Sequence, residues 1–566
     1  MKVKRHRTRA GRSAATTVIL LALASLVIAG MATVAESQVK LGPPVKATGM
    51  GTAAAEESST CDAELGVTKI PYLQSPPCVR DFGAKEKNGG TTYPGVTADA
   101  IKIVVVVPSH AQQEANWTQP GVVCPPNRET GDCAYIEETF EDWQEAFDYS
   151  FELWGRKVEF DFFNPSGASE EQQRADAVTV AAMKPFGVVC NGGTAGGGRV
   201  FGLAIAASKI LAFNCGGTND DAAAQAPYVW LGGFDLNAST INGGEVLGKM
   251  FVGKPAEYSG IEADKTKTRV LGVVRPATGL NYDLFTKSLK KYGGKNGTVK
   301  AEVSYTVPVD TSTTAAVNQQ EAPTLVAKLK DEGVTTVVNF STAGMTRNLM
   351  TAATSLNWFP EWFFPGMGAQ DIEATARSND PQQMAHTFGI GSLTLYVQDL
   401  DDLRKQWFDW YWGPTQGSFS QGTVGTLFTL NEGLQLAGPK LTPQTFQQGL
   451  FAAPANGGAA SGQTQSFMFG YGRSSGLPYD EYSQVGLDYM LMWWNPNDSG
   501  PGKILFNEGQ GRFCYPDNAT RYYASKWPKT APKLFDMSNS ICQYDALPAS
   551  DIPPEYDCKG CPSTKN

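Results

Sequence analysis

Histidine is nearly missing from this chain: three in 566 residues, and one of them, His6, sits in a basic leader. Acid–base chemistry that depends on imidazole therefore has only His110 and His386 to draw on. The single match to a nucleophile elbow, Gly472-Arg473-Ser474-Ser475-Gly476, requires a histidine further along the chain, and none follows His386. The stretch reads instead as a Ser/Gly loop. No glycine run is followed by Lys-Ser or Lys-Thr, which excludes a P-loop, and Asn191-Gly-Gly-Thr-Ala-Gly-Gly-Gly198 lacks dinucleotide-binding spacing. Charge is also sparse, at 18% of residues. The basic residues Lys2, Lys4, Arg5, Arg7, Arg9 and Arg12 all precede residue 35, so the net charge of −9 becomes −15 for the remainder. A body this acidic offers no basic face for nucleic acid. Long apolar runs are limited to one, residues 14–35, which excludes a channel or permease.

That run follows the cationic stretch and ends in small residues, the pattern of a secretory signal. It is also long enough to remain as an anchor with its positive flank in the cytoplasm. Both readings export the body, so the expected location is extracytoplasmic: secreted, periplasmic or envelope-associated, with membrane contact only through this segment. Met31 follows Leu26-Val27-Ile28-Ala29-Gly30 where a lipid-bearing cysteine would stand, so no lipid anchor forms there.

Ten cysteines, an even number in an exported chain, make disulfides the default. Cys124 with Cys133, and Cys190 with Cys215, are the expected local pairs. Spacing leaves Cys61, Cys78, Cys514, Cys542, Cys558 and Cys561 unassigned. No cofactor or metal is expected, since the lone CxxC at 558–561 lacks a second pair or histidines beside it.

Residues 36–60, small and polar, suit a flexible tether, and 61–98 complete a Cys-containing N-terminal extension. From residue 99 strands and helices alternate. Residues 101–107 form a β-branched run expected of a strand covered on both faces. Ile136, Phe140, Trp143, Phe147, Phe151 and Trp154 then lie on one face of a helix of about five turns. Strand, helix, strand, helix and strand follow at 158–163, 170–183, 186–190, 199–208 and 210–214. A second series has strands at 270–274, 298–305, 334–340 and 361–365, with helices between them, one starting at Pro323. The expected fold is α/β, with two doubly wound parallel-sheet lobes joined by a hinge. Lobe 1 takes residues 99–254 and lobe 2 takes 255–386. Residues 387–495 cross back to complete both, and 496–566 form a Cys/Pro-rich tail without its own core. Trp407, Phe408, Trp410, Tyr411 and Trp412 have helical spacing and read as packing rather than a binding platform.

Open parallel sheets bind ligands beyond the carboxyl ends of their strands. Those ends carry Ser109, Asn191, Gly193, Thr194, Gly216, Gly217 and Thr218 in lobe 1, and Tyr282, Ser341, Thr342 and Met367 in lobe 2. Small residues with hydroxyls, amides and free backbone N–H groups suit holding a small polar molecule rather than transforming it. A Cys190–Cys215 bond would staple neighbouring strand ends beside that crevice.

Several stretches resemble the leucine/isoleucine/valine-binding proteins, the type I periplasmic binding proteins of branched-chain amino-acid ABC transporters. They are Thr97-Ala98-Asp99-Ala100-Ile101-Lys102-Ile103, Lys290-Lys291-Tyr292-Gly293-Gly294 and Val326-Ala327-Lys328-Leu329-Lys330-Asp331-Glu332-Gly333-Val334. The resemblance implies two lobes closing on a ligand, a hinge of about three strands, and docking on a permease. It places carboxylate recognition at Gly193-Thr194 and Gly216-Gly217-Thr218; the covering aromatic is either missing from Thr278-Gly279-Leu280-Asn281-Tyr282 or displaced to Tyr282. The acidic residue that would receive an amino group is absent from Pro365-Gly366-Met367-Gly368, and no carboxylate precedes Asp371. The expectation is a monomeric solute-binding protein, not an enzyme, taking an amino-acid-like molecule, amide, urea or carboxylate to an ABC permease. A sensory or adaptor ectodomain on the same fold and a secreted hydrolase are the alternatives.

Overall fold

The computed structural model describes residues 44–118, 124, 126–127, 130–191, 198–307, 313–367, 370–398, 400, 403–414, 418–503 and 507–564. The leader at 1–35 lies outside the described residues, as do Gly193 and Thr194. Among the described residues no helix is long and apolar enough to cross a membrane.

The first lobe grows from β1 (Ala100–Val106), whose valines are wholly buried because helices cover both faces. It continues through α1 (His110–Trp117), α2 (Ile136–Ser150), β2 (Lys157–Phe163), α3 (Glu170–Ala182) and β3 (Gly187–Cys190). Next come α4 (Arg199–Ala207), β4 (Leu211–Phe213), α5 (Asn219–Ala224) and β5 (Val229–Phe234). All pairings are parallel, in the order β2-β1-β3-β4-β5. The apolar face of α2 puts Phe140, Trp143 and Phe147 in the core. That helix stops a turn earlier than its aromatic spacing predicts: Phe151 is extended, and Trp154 turns inward at φ +60° to bond Gln435 O at 2.9 Å.

At Asp235 the chain leaves lobe 1. Helix α6 (Leu236–Val246) packs on α7 (Tyr282–Gly293) in the second lobe; Ser288 Oγ donates to Ile241 O at 2.8 Å. The first lobe's opening segment therefore ends near residue 235 rather than 254. The second sheet contains β6 (Leu271–Pro276), β7 (Ala301–Tyr305), β8 (Thr336–Asn339), β9 (Glu361–Phe364) and β10 (Thr387–Gly391), with α8 (Thr314–Asp331) and α9 (Ala343–Ser355) on its faces. Its parallel order, β7-β6-β8-β9-β10, repeats that of lobe 1. Arg269 and Glu361, both fully buried, join in two hydrogen bonds of 2.7 and 2.8 Å at the base of this sheet.

The chain returns to lobe 1 for α10 (Leu403–Trp412), α11 (Gln421–Ala437), α12 (Pro443–Ala452) and β11 (Ser483–Val485), which pairs with β5. Trp407 of α10 lies 5.2 Å from Trp143 and 5.0 Å from Phe147, inside the core. The chain then re-enters lobe 2 as β12 (Asp488–Pro501), antiparallel to β10, followed by β13 (Glu508–Pro516).

Both termini depart from expectation. Residues 496–501 and 508–516 are not tail but paired strands of the second sheet, with Phe513, Cys514 and Tyr515 buried. In the supposed tether, residues 44–48 and 53–56 are helical and Met50 is in the core of lobe 1. Tyr72 then stacks on Trp407 at 5.5 Å. Cys124–Cys133 and Cys190–Cys215 are bonded as expected, alongside Cys61–Cys78, Cys514–Cys542 and Cys558–Cys561.

Candidate ligand cleft

Equal strand order gives each lobe an edge of carboxyl strand ends. In lobe 1 the turn after β1 supplies Ser109, but its hydroxyl and N–H both donate to Gln112 Oε1 (3.2 and 3.0 Å), closing the first turn of α1. Asn191 follows β3 and is half-buried. After β4, Asn214 adopts φ +55° and donates from Nδ2 to Cys190 O at 3.1 Å, so amide and disulfide together tie the ends of β3 and β4. Gly216 and Gly217 have φ of +76° and +116°. At Gly216 a Cβ would lie 3.0 Å from Arg199 N, so the turn presses directly on the start of α4.

Thr218 is not free to take a ligand carboxylate. Its Oγ1 donates to Asp221 Oδ2 at 3.1 Å and accepts from Asp221 N at 3.2 Å, a reciprocal cap on α5. Arg199 grips the same Asp221 carboxylate at 2.7 and 2.6 Å and holds it below the usual carboxylate range. Asp220 beside it is bonded to Asn237 and Asn281, so the carboxylates of this turn are engaged, one of them by the exposed Arg199 guanidinium.

In lobe 2, Tyr282 opens α7 but stacks on Phe285 at 5.8 Å, with the Arg275 guanidinium 5.0 Å over its ring. It is packed against its own lobe. Ser341 is buried, its Oγ 2.5 Å from Asn339 Oδ1 and 2.8 Å from Thr346 Oγ1. Thr342 is exposed and caps α9 by accepting from Met345 N at 3.4 Å. Met367 is half-buried on the turn after β9. Gln370 was not foreseen. Its Nε2 donates to Asn339 O (2.7 Å) and Ser341 O (3.2 Å), while its Oε1 is buried without a partner. Asp371 accepts from Leu393 N at 2.8 Å, and burial raises its carboxyl despite Lys503 nearby. It braces the crossing after β10 instead of receiving a ligand.

The lobes meet at Asp220. Its Oδ2 accepts from Asn281 Nδ2 and its Oδ1 from Asn237 Nδ2, both at 3.3 Å, joining α5 of lobe 1 to two elements of lobe 2. At the exit from β5, Asp235 accepts from Asn237 N (2.9 Å), Ala238 N (3.0 Å) and the Tyr479 hydroxyl. Glu481, wholly buried beside it, accepts from Tyr482 N (2.9 Å) and Ser483 N (2.7 Å). Burial first, and the neighbouring Asp235 carboxylate second, push the Glu481 carboxyl far above its ordinary range. No sequence signal marked this pair, because its members are 246 positions apart.

The remaining chemistry is accounted for locally. Ser474 Oγ donates to Tyr471 O at 2.7 Å, His386 Nδ1 is 2.8 Å from Tyr258 O, and His110 stacks on Tyr135 at 3.8 Å with Nε2 3.3 Å from Glu137. Among the described residues, neither His110 nor His386 is bonded to Ser474. Asp498, Cys514 and Cys542 lie close together, but the two sulfurs are bonded to each other and are not free to ligate a metal.

No protein-family model and no curated protein matches the chain. It is similar to solved structures of ABC-transporter binding proteins. One is the solute-binding protein of Rhodopseudomonas palustris BisB5 in complex with 3,4-dihydroxybenzoic acid: 13% identity, 76% of this chain and 99% of that one covered, TM-score 0.44. Another is a type 1 periplasmic binding protein of Bordetella pertussis Tohama I (13% identity, 73% and 99% covered, TM-score 0.42). A third is an ABC transporter substrate-binding protein of Desulfitobacterium hafniense in complex with Leu (11% identity, 75% and 100% covered, TM-score 0.39).

Proposed function

We propose that this protein is an extracytoplasmic solute-binding protein that captures a small polar organic molecule between its lobes and delivers it to an ABC permease. The observation that carries the reading is the repeated strand order of the two sheets, combined with a chain that passes from lobe 1 to lobe 2, back, and across again. Two edges of strand ends are thereby set on connecting segments at 235, between β10 and α10, and at 486–487. Such an arrangement lets the edges approach and part while each sheet stays rigid. The leader supports export, and the five disulfides suit an oxidising compartment. Strand-end hydroxyls held in helix caps and amides bonded within their own lobes favour binding over turnover.

On lobe 1 the Thr218 hydroxyl is engaged in the cap of α5 and the Asp221 carboxylate in its ion pair with Arg199. Among the described strand-end groups, the buried Gln370 Oε1 is the acceptor left without a partner, so a ligand that donates a hydrogen bond fits lobe 2. The test is a thermal-shift screen of the purified monomer with amides, ureas, amines, leucine and 3,4-dihydroxybenzoate. A ligand at 100 times its Kd stabilises by about 2.7 kcal/mol. Saturable shifts with donor-bearing compounds are expected; saturable turnover of any of them, lost in Ser474→Ala, would replace the reading with a hydrolase.

A further inference from the structure

Three connections join the lobes before β12; a fourth follows it. After β13 the chain stays on lobe 2, where Ser540–Ile541 pairs with β13. By Tyr556 it has returned to lobe 1. Trp410 Nε1 donates to Tyr556 O at 2.6 Å, Tyr556 OH to Asp62 Oδ2 at 2.9 Å and Ser563 Oγ to Trp410 O at 2.7 Å. Cys558 and Cys561 are buried in the lobe 1 core. The C-terminal segment is thus fastened at both ends, one on each lobe.

Between its ends it is bonded to the other connections. Tyr544 N donates to Tyr396 O and Gln398 N to Tyr544 O, both at 3.0 Å, so the segment runs beside the second crossing. Arg521, fully buried, pairs with fully buried Asp488 at 2.8 and 3.0 Å and donates to Ser392 O at 2.6 Å. One side chain therefore rivets the second crossing to the third. Asp488 also accepts from Ala459 N (2.7 Å) and Met468 N (3.0 Å) of the lobe 1 loop after α12. Asp551, with no exposed surface, accepts from Thr464 N (2.8 Å) and Gln465 N (2.6 Å) of that loop. Ala524 completes an apolar cluster with Ala238 and Ile241 of α6, Met468 and Leu477 of the loop, and Leu487 of the third crossing.

We infer that residues 517–564 are a strap that limits how far the lobes separate, holding the unliganded protein near the closed arrangement. The inference rests on the proposed lobe movement and adds its restraint. A protein held near closure loses little affinity to conformational selection, because the apparent Kd is the intrinsic one divided by the closed fraction.

The test cuts the strap without shortening the chain. A protease site inserted between Asp545 and Ala546, both exposed, is cleaved in the purified protein. A control chain carries the same site between Lys295 and Asn296, an exposed turn of lobe 2. Small-angle scattering and amide exchange are then compared before and after cleavage. Cleavage at 545 is expected to increase the radius of gyration of unliganded protein. It is also expected to speed exchange of the Gln398, Thr464 and Gln465 amides at least tenfold, with the control cut changing neither. Unchanged scattering and exchange, or equal changes in the control, would overturn the strap. If the cut protein unfolds, Asp551→Ala in the intact chain gives the same decision: faster exchange at Thr464 and Gln465 with a larger radius supports the strap, and an unchanged radius overturns it. Uncut protein that is already as open as cut protein refutes the strap alone, because ligand binding in the thermal-shift screen does not depend on it.

Discussion

Glu432 offers a stability test whose sign and size follow from burial. It lies on α11 with 6% of its surface exposed, and its Oε2 has no hydrogen-bond partner. Desolvation raises its carboxyl to about 8 from an ordinary 4.5, only partly offset by the Tyr471 hydroxyl. The folded protein therefore keeps a proton that the unfolded chain releases above pH 4.5. Because the folded value is the higher one, stability falls as pH rises from 4.5 to about 8, and no penalty exists well below 4.5. At about 1.4 kcal/mol per pH unit, the cost at pH 7 is on the order of 3 kcal/mol. Glu432→Gln keeps the shape and carries no proton to lose. Denaturant midpoints of both proteins at pH 5, 6, 7 and 8 provide the assay. The variant should gain under about 1 kcal/mol at pH 5 and on the order of 3 kcal/mol at pH 7, so the two curves diverge with pH. Parallel curves, or a variant equally destabilised at every pH, would refute the argument.

Other substitutions separate structural from ligand-facing roles. Glu361→Gln leaves the buried Arg269 guanidinium without its charge partner and should cost about 3–5 kcal/mol in denaturant unfolding. Thr218→Ala removes the cap of α5 and should cost about 1 kcal/mol. Because its hydroxyl is already engaged, ligand affinity should change less than stability, as titration calorimetry would register. Replacing Cys190 and Cys215 together by Ala frees a loop with a sequence separation of 25. It should lower stability by about 3 kcal/mol and weaken ligand binding by unpinning Asn191 from the turn after β4.

The lobes were legible because their strands are short β-branched runs between amphipathic helices, as in residues 101–107 and 136–150. What escaped had physical causes. Helix α8 begins at Thr314 rather than Pro323, a proline inside the helix that reads as a first-turn residue; the turns before it hold one large apolar side chain, Val317. The β12–β13 hairpin carries Pro496, Gly500, Pro501, Gly509 and Gly511, which read as loop, yet it pairs antiparallel across a bulge. Strand-end hydroxyls at Ser109, Thr218 and Thr342 occupy positions common to helix caps and ligand sites, and sequence alone does not separate the two uses. The Thr218-x-x-Asp221 spacing was the available hint. Asp235 with Glu481, and Asp488 with Arg521, come together only through the crossings.

The central claim is that the two lobes close on a ligand. Small-angle scattering of the protein cleaved between Asp545 and Ala546, where the strap no longer holds the lobes together, with and without saturating amounts of the tightest-binding compound from the thermal-shift screen, tests it most directly. Asp220 already touches Asn237 and Asn281 in this structure, so liganded protein should match its scattering profile and unliganded protein should be slightly more extended. Saturable binding with identical profiles in both states would contradict the account.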